Sequence, residues 1–440
     1  MFLIAVLLFS VVAFSAECPV QPSVEGPVHY YGSLKARENS SYIDGSKVGT
    51  AVQVRGVSFF WSQWAGKFYN ANAVERLAKD WKAEVVRAAY GSTGAAFSNA
   101  TMQPIKNVVE AAISNDIYVI IDWHSHSAHD AAETQRAIDF FREMARIYGS
   151  CPHVIFELYN EPTNVNWQTI KTYAEAVIPV IREEHSDNLI LVGTPEYSRR
   201  VENVVGNAIV DKNVGYVLHF YAASHPLGGW RDNIDLALRN KLPIFVTEYG
   251  TTTADGGCSP IVSNNCGTDN YNSHNSSYAD QWHTYMDRNK ISSAAWNVFD
   301  KYEGSAFFGT VPNGDFDQSP VNWSDTNKMT ASGKYIFKKL NEYYKTAPWN
   351  SNSSPIKPIA AAGSFELKFF DGAKLAVNLP QAGEVSLEIF SLQGKKLVNL
   401  LNGYQSSGIF EFSLSDLKSG TYILLLKQGS QIKSIKITKK

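Results

Sequence analysis

From Val52 onward, short apolar runs alternate with segments whose apolar residues recur every three or four positions. The runs cover residues 52–58, 84–89, 117–123, 154–159, 189–193, 214–220, 244–248 and 291–297, and are rich in the β-branched and aromatic residues of buried strands. Between them, Ala73, Val74, Leu77, Ala78 and Trp81 are spaced to bury one face of a helix. Residues 131–148, 167–184, 278–289 and 334–344 read the same way. Eight strands alternating with helices predict an α/β chain closed into a (β/α)8 TIM barrel. An open doubly wound sheet would carry a glycine-rich phosphate loop after an early strand, and the chain has neither GxGxxG nor a Walker pattern.

The pattern changes toward both ends. Residues 350–363 mix Asn, Ser, Pro and Ala and read as a linker. Residues 364–440 switch to period-two alternation broken by turns such as Gln393-Gly394-Lys395, which predicts a small all-β sandwich-like C-terminal domain. At the other end, residues 2–14 are apolar apart from Ser10, too short to span a bilayer, and Ala13-Phe14-Ser15 has a small-x-small cleavage pattern. Residues 1–16 are therefore expected to be a signal peptide and 24–349 the barrel domain. That places the protein outside the cell or at its surface, with no membrane span once the signal is removed.

Composition narrows the function. A net charge of −2 with no basic stripe argues against nucleic acid as a partner. Aromatic residues make up 12% of the chain, a surplus that suits stacking on flat ligand faces. Export permits disulfides among Cys18, Cys151, Cys258 and Cys266. Cys258 and Cys266 bracket a Gly/Ser/Asn-rich loop and are the candidate staple; Cys18 with Cys151 is a pairing that spacing does not support. No CxxC occurs, which removes a zinc knuckle.

Barrel sites lie at the C-terminal ends of the strands. In chain order those ends carry Arg87, Asp122-Trp123-His124, Asn160-Glu161, His219-Phe220-Tyr221, Glu248 and Trp296. Taken singly, each has a bland reading as a buried ion-pair partner, a satisfied core histidine or a packing ring. On a barrel they meet in one place. A pair of glutamates at strand ends fits glycosidic cleavage, where one carboxyl gives a proton and the other meets the anomeric carbon. Arg87 and Tyr221 beside Glu248 would hold it ionised, while Glu161, in less cationic surroundings, would keep its proton longer. Trp296 offers a flat face to a pyranose ring, and Asn160 can bond a sugar hydroxyl. His124, His126 and His129 form a His-x-His-x-x-His cluster, but no carboxylate motif completes a metal cage, and sugar-facing donors explain them better. No metal and no organic cofactor is expected. Acyl chemistry lacks its Gly-x-Ser-x-Gly elbow.

The strings Val54-Arg55-Gly56-Val57-Ser58, Val85-Val86-Arg87-Ala88-Ala89, Ile121-Asp122-Trp123-His124 and Glu157-Leu158-Tyr159-Asn160-Glu161-Pro162 resemble glycoside hydrolase family 5, in its bacterial endo-β-1,4-glucanase branch. His219-Phe220-Tyr221-Ala222, Phe245-Val246-Thr247-Glu248-Tyr249-Gly250 and Trp296-Asn297 continue the likeness in order. The resemblance implies a retaining hydrolase with Glu161 as acid/base and Glu248 as nucleophile. Arg87, His124, Asn160, His219, Tyr221 and Trp296 match the family's site positions. Trp64 resembles the glycone-side platform, and Lys301 and Glu303 the polar contacts to the neighbouring glucose. Tyr249 stands where many relatives carry Trp, and residues 255–274 are longer than the resemblance leads one to expect. Trp230 could stack on the acceptor side or simply pack. The tail strings Ile389-Phe390-Ser391-Leu392-Gln393-Gly394-Lys395 and Leu417-Lys418-Ser419-Gly420-Thr421-Tyr422 resemble the sorting domain of type 9 secretion cargo, which implies secretion machinery as a partner. A carbohydrate-binding module is the rival for a tail that has no Trp to stack with. The expectation is a secreted, bacterial, monomeric endo-β-1,4-glucanase acting on a β-glucan. The rivals are a hydrolase of another β-glycan (mannan, xyloglucan or mixed-linkage glucan) and a non-catalytic glycan-binding protein.

Overall fold

The computed structural model describes residues 17–91, 99–184, 186–254, 275–300, 303–309, 323–350, 365–370, 374–379, 383–405, 408–414, 417–429 and 431–439. The expected signal peptide, the Cys258–Cys266 staple, the 255–274 segment, Lys301 and nearly all of the linker lie outside these residues. The chain divides into two compact units, with the boundary between Thr346 and Ala347.

In the first unit, eight parallel strands close a barrel: β1 (Arg55–Phe59), β2 (Val85–Gly91), β3 (Tyr118–His124), β4 (Val154–Glu157), β5 (Ile190–Val192), β6 (Val214–Tyr221), β7 (Ile244–Gly250) and β8 (Ser292–Val298). Each strand pairs with its sequence neighbour, and β8 returns to β1. Strands β2, β3, β7 and β8 are buried along their whole length, which is why they read as continuous apolar runs rather than alternating ones. At Gly56 an added Cβ would sit 1.7 Å from the Val85 carbonyl oxygen, so the β1–β2 pairing admits no side chain there.

Helices α1 (Ala71–Lys79), α2 (Asn99–Ser114), α3 (Ala131–Tyr148), α4 (Trp167–Glu183), α5 (Arg231–Arg239), α6 (Ser276–Asn289) and α7 (Ala331–Tyr344) surround the barrel. In α3, Ala137, Phe140, Phe141, Met144, Ala145 and Tyr148 recur at helical spacing and are buried. Asn70, Asn166, Asn275 and Thr330 accept a main-chain N–H three residues on and so start α1, α4, α6 and α7. After β5 no long helix follows. The chain makes a single turn in which Glu196, Tyr197 and Ser198 have φ of 55°, 62° and 56°.

The N-terminal segment meets the entry ends of the strands. Asp116 Oδ2 accepts the N–H groups of Gly26 and His29 at 2.5 and 2.8 Å, and the Tyr118 hydroxyl donates to the Gly32 carbonyl at 2.5 Å. Cys18 and Cys151 form a disulfide there, the pairing that spacing had not supported. The segment passes beside the start of β3, which brings two cysteines together across 133 positions.

The second unit is all β, with strands β9 (Glu366–Phe370), β10 (Lys374–Leu379), β11 (Gly383–Ser391), β12 (Lys396–Gln405), β13 (Gly408–Ser413), β14 (Gly420–Gln428) and β15 (Gln431–Lys439). They form two antiparallel sheets, ordered β9-β10-β13 and β12-β11-β14-β15. Leu375, Val377 and Leu379 of one sheet share a core with Leu387, Ile389, Leu424 and Leu426 of the other.

Candidate active site

The strand exits converge on Arg87, the third residue of β2, which is fully buried. Its Nε donates to Glu157 Oε2 at 2.7 Å and its Nη2 to Glu157 Oε1 at 3.1 Å. Nη2 also donates to Asn160 Oδ1 at 2.6 Å and lies 2.9 Å from Asp122 Oδ2. Nη1 donates to Glu248 Oε2 at 3.1 Å. One guanidinium fork thus ties β2 to β3, β4 and β7.

Glu248 lies inside β7, and its other oxygen, Oε1, accepts the Tyr221 hydroxyl at 2.8 Å from the end of β6. Glu161 lies beyond β4, which ends at Glu157 rather than running to 159. Main-chain bonds from Asn160 to the Trp123 carbonyl and from Glu161 to the Ser125 carbonyl, both 3.3 Å, hold that turn. The Ser198 hydroxyl donates to the Asn160 carbonyl at 2.6 Å. His219 Nδ1 meets Glu161 Oε1 at 3.1 Å, and His126 Nε2 stands 3.5 Å from Oε2. One oxygen of Glu161, one of Glu248 and a His219 ring nitrogen all lie within 4.8 Å of one another. Three such donors could ligate an ion, but Arg87 and Tyr221 already occupy both Glu248 oxygens, so a cation would compete with a guanidinium.

Around these carboxylates stand aromatic rings. His124 lies parallel to the Trp296 indole at 5.4 Å, and Trp61 meets His124 edge-on at 4.2 Å. Trp64 is 62% exposed and leans on Trp61 and Phe60. Glu303 accepts from Asn297 Nδ2 at 3.2 Å and Ser305 Oγ at 2.7 Å. Tyr249 is turned away from the site, packed on Phe220 with its hydroxyl near His283.

Residues 45–301 match the family Cellulase (glycosyl hydrolase family 5). The chain belongs to that family. It is 40% identical to Endoglucanase Z of Dickeya dadantii over 323 residues, 71% of this chain and 68% of the relative. It is 35% identical to the cellulase CelDZ1 of a Thermoanaerobacterium, over 69% of this chain and 81% of the relative. Among solved structures, the catalytic domain of Thermobifida fusca endoglucanase Cel5A superposes with a TM-score of 0.62 at 29% identity, covering 72% of this chain and all of that one. A structure from Cytophaga hutchinsonii gives 0.64 at 36%, covering 72% and 96%. Residues 372–440 match the secretion system C-terminal sorting domain. The protein is a family 5 glycoside hydrolase of the cellulase and endoglucanase kind, with a sorting tail.

The electrostatics of this family 5 site reverse one expectation. Burial and the charge of Glu161 push the Glu248 carboxyl up, even though Arg87, His219 and Tyr221 oppose the rise. Burial also favours a neutral Glu161, but hydrogen bonds from His126 and His219 outweigh it and hold the group at about 2. The surroundings of Glu161 are therefore more cationic than the sequence implied. Arg87 is divided among three carboxylates, whereas two imidazoles face Glu161. His219 is correspondingly raised to about 9: burial opposes this, and the nearby carboxylates of Glu157, 3.8 Å from Nε2, and Glu161, bonded at Nδ1, prevail. These shifts favour a charged His219 one hydrogen bond from an ionised Glu161.

Sequence reading passed over Glu157 and Thr247 as parts of the site. Thr247 Oγ1 lies 2.9 Å from His219 Nε2 and donates to Glu157 Oε1 at 2.7 Å, which links the imidazole to the Arg87 cluster. Both are polar residues in otherwise apolar buried strands, Val-Ile-Phe-Glu and Ile-Phe-Val-Thr-Glu, and that oddity was the available clue.

Proposed function

We propose that this protein is a secreted endo-β-1,4-glucanase that cleaves internal bonds of cellulose and related β-glucans with retention, with Glu248 as nucleophile and Glu161 as acid/base. The observation that carries the reading is the spacing of the two carboxylates, whose nearer oxygens fall within 4.8 Å. Retaining glycosidases hold the pair about 5 Å apart, whereas inverting ones leave roughly 6.5–9.5 Å for a water between them. In the first step a Glu248 oxygen attacks the anomeric carbon, and the bond to the leaving oxygen breaks as Glu161 delivers a proton to it. His219, one hydrogen bond away, supplies that proton to Glu161 as substrate displaces water. In the second step Glu161 takes a proton from water, whose oxygen attacks the anomeric carbon and releases Glu248. Trp64 and Trp296 give the sugar rings apolar faces. Asn160 and a neutral His124, its pKa pressed well down by burial and by Arg87, are available to hydroxyls. The endoglucanase names of the curated relatives support the choice of β-1,4-glucan.

The test is a substrate panel of carboxymethylcellulose, mannan, xyloglucan and mixed-linkage glucan, run with Glu248→Gln and Glu161→Gln. Turnover by Glu248→Gln is expected to fall by several orders of magnitude, as loss of a covalent nucleophile should cause. Product anomers followed early by NMR should be β from a β-glucan. Initial α-product would refute retention, and a preference for mannan would refute the substrate assignment.

A further inference from the structure

Beside the two glutamates is a cavity of about 480 Å³ whose walls include Glu161, Glu248, Tyr197, Arg199 and His225. Its rim is the left-handed turn after β5. Three consecutive non-glycine residues with φ between 55° and 62° are costly backbone, kept only where the surroundings enforce it. The turn is braced on the catalytic one: the Tyr197 N–H donates to the Pro162 carbonyl at 3.0 Å, and Ser198 bonds Asn160. It presents Tyr197, 47% exposed, and aims Arg199 inward.

Among the described residues Arg199 is fixed without a counter-ion. Its Nε donates to the Glu196 carbonyl at 2.7 Å, and its guanidinium carbon lies 5.3 Å from the Tyr197 ring and 5.6 Å from that of Trp230. Among the described residues no carboxylate pairs with it, whereas neighbouring Arg200 has both Glu196 and Glu202. Its remaining contact is with His225, where Nη1 stands 3.1 Å from Nε2. The other nitrogen of that ring, Nδ1, accepts the Tyr221 main-chain N–H at 2.9 Å. A neutral ring that accepts at Nδ1 carries its hydrogen on Nε2. Two donors therefore face each other with no acceptor between them. Turning the ring over places carbon at both positions and leaves both donors unmet. Burial and the Arg199 charge push His225 down to about 4, which favours the neutral ring above that pH.

We propose that Arg199 and His225 together select a carboxylate on the acceptor-side sugar, so that the enzyme prefers β-1,4-glucan carrying a uronic acid unit just beyond the scissile bond. Oxidising the C6 hydroxymethyl of glucose to a carboxylate changes charge but little shape, and it supplies the acceptor atoms that the facing donors lack. Trp230, half-buried beneath Arg199 and Arg200, then backs the guanidinium rather than stacking on sugar. This inference rests on the hydrolase reading above.

The experiment uses the full chain and two matched cello-oligosaccharides, one neutral and one with a single C6 carboxylate on the acceptor-side unit. The ratio of kcat/KM for the acidic over the neutral substrate should exceed one for the parent and fall about tenfold or more in Arg199→Gln, with Arg199→Lys in between. Rising salt should lower the parent's ratio and leave that of Arg199→Gln flat. A parent ratio at or below one overturns the proposal, as does an equal loss on both substrates in Arg199→Gln, which would mean that Arg199 bonds neutral hydroxyls. If neither substrate is cleaved by the parent, the hydrolase reading fails instead.

Discussion

Replacing Arg87 by methionine keeps most of the side-chain volume and removes the one cation shared by Asp122, Glu157 and Glu248. Breaking a buried ion pair by removing one partner costs about 3–5 kcal/mol. The three losses do not add, because burial already pushes Asp122 well above the ordinary carboxylate range and it answers the loss by binding a proton. A net cost of about 4 kcal/mol is the expectation. For a unit ending at residue 346, with an unfolding entropy of roughly 0.7 kcal/mol/K, that lowers Tm by about 6 °C. The pH dependence has a definite sign. Burial raises Glu157, but Arg87 and His219 overcome it and hold the group below its ordinary value of 4.5. The stability gained is therefore present above pH 4.5 and is lost as pH falls through the lower, folded value. The Tm gap between parent and Arg87→Met should be widest near neutrality and close in acid. Turnover at neutral pH should fall roughly a hundredfold or more, since Glu248 loses a preorganised partner. Calorimetric melts at neutral and acid pH beside steady-state kinetics measure all three. A variant that melts with its parent at neutral pH, or whose gap does not change with pH, refutes the account of Arg87 as the hub.

Cys18→Ser should remove about 5 kcal/mol in the chain-entropy estimate, because the bond closes a 133-residue separation. Denaturant melts with and without reductant check it, and a parent indifferent to reductant would contradict it. His219, raised to about 9 from 6.5, lends stability that is complete below pH 6.5 and lost as pH rises through about 9. Both Tm and kcat/KM should decline together on that alkaline limb. A Tm that stays flat across it would separate the imidazole from the carboxylates.

The barrel was legible because its strands are buried on both faces, so eight apolar runs stand out from amphipathic helices. The exits were legible because Arg87, His219, Glu161 and Glu248 are expensive residues in apolar company. Two things escaped. Helix α2 carries an internal Pro104, which reads as a helix boundary, and α5 is short with only Ile234 and Ala237 fully buried. The second is protonation, which depends on who shares whom. Sequence places Arg87 beside Glu248 but does not reveal that Asp122 and Glu157 claim the same fork, nor that His126 reaches Glu161 from beyond β3. The disulfide was hidden for a similar reason, since separation along the chain says nothing of two ends meeting beneath the barrel.

The two glutamates are mounted differently. Glu248 lies within a strand hydrogen-bonded on both sides, while Glu161 rides a turn four residues past the end of its strand, pinned through Trp123, Ser125 and Ser198. In the proposed chemistry a nucleophile serves one carbon in both half-reactions, whereas an acid/base must address first a sugar oxygen and then a water. A post set within the sheet suits the former task, and one set on a separately braced turn the latter. The braces on the turn, rather than the carboxylate itself, would then be where natural variation could retune the balance between making and breaking the glycosyl-enzyme.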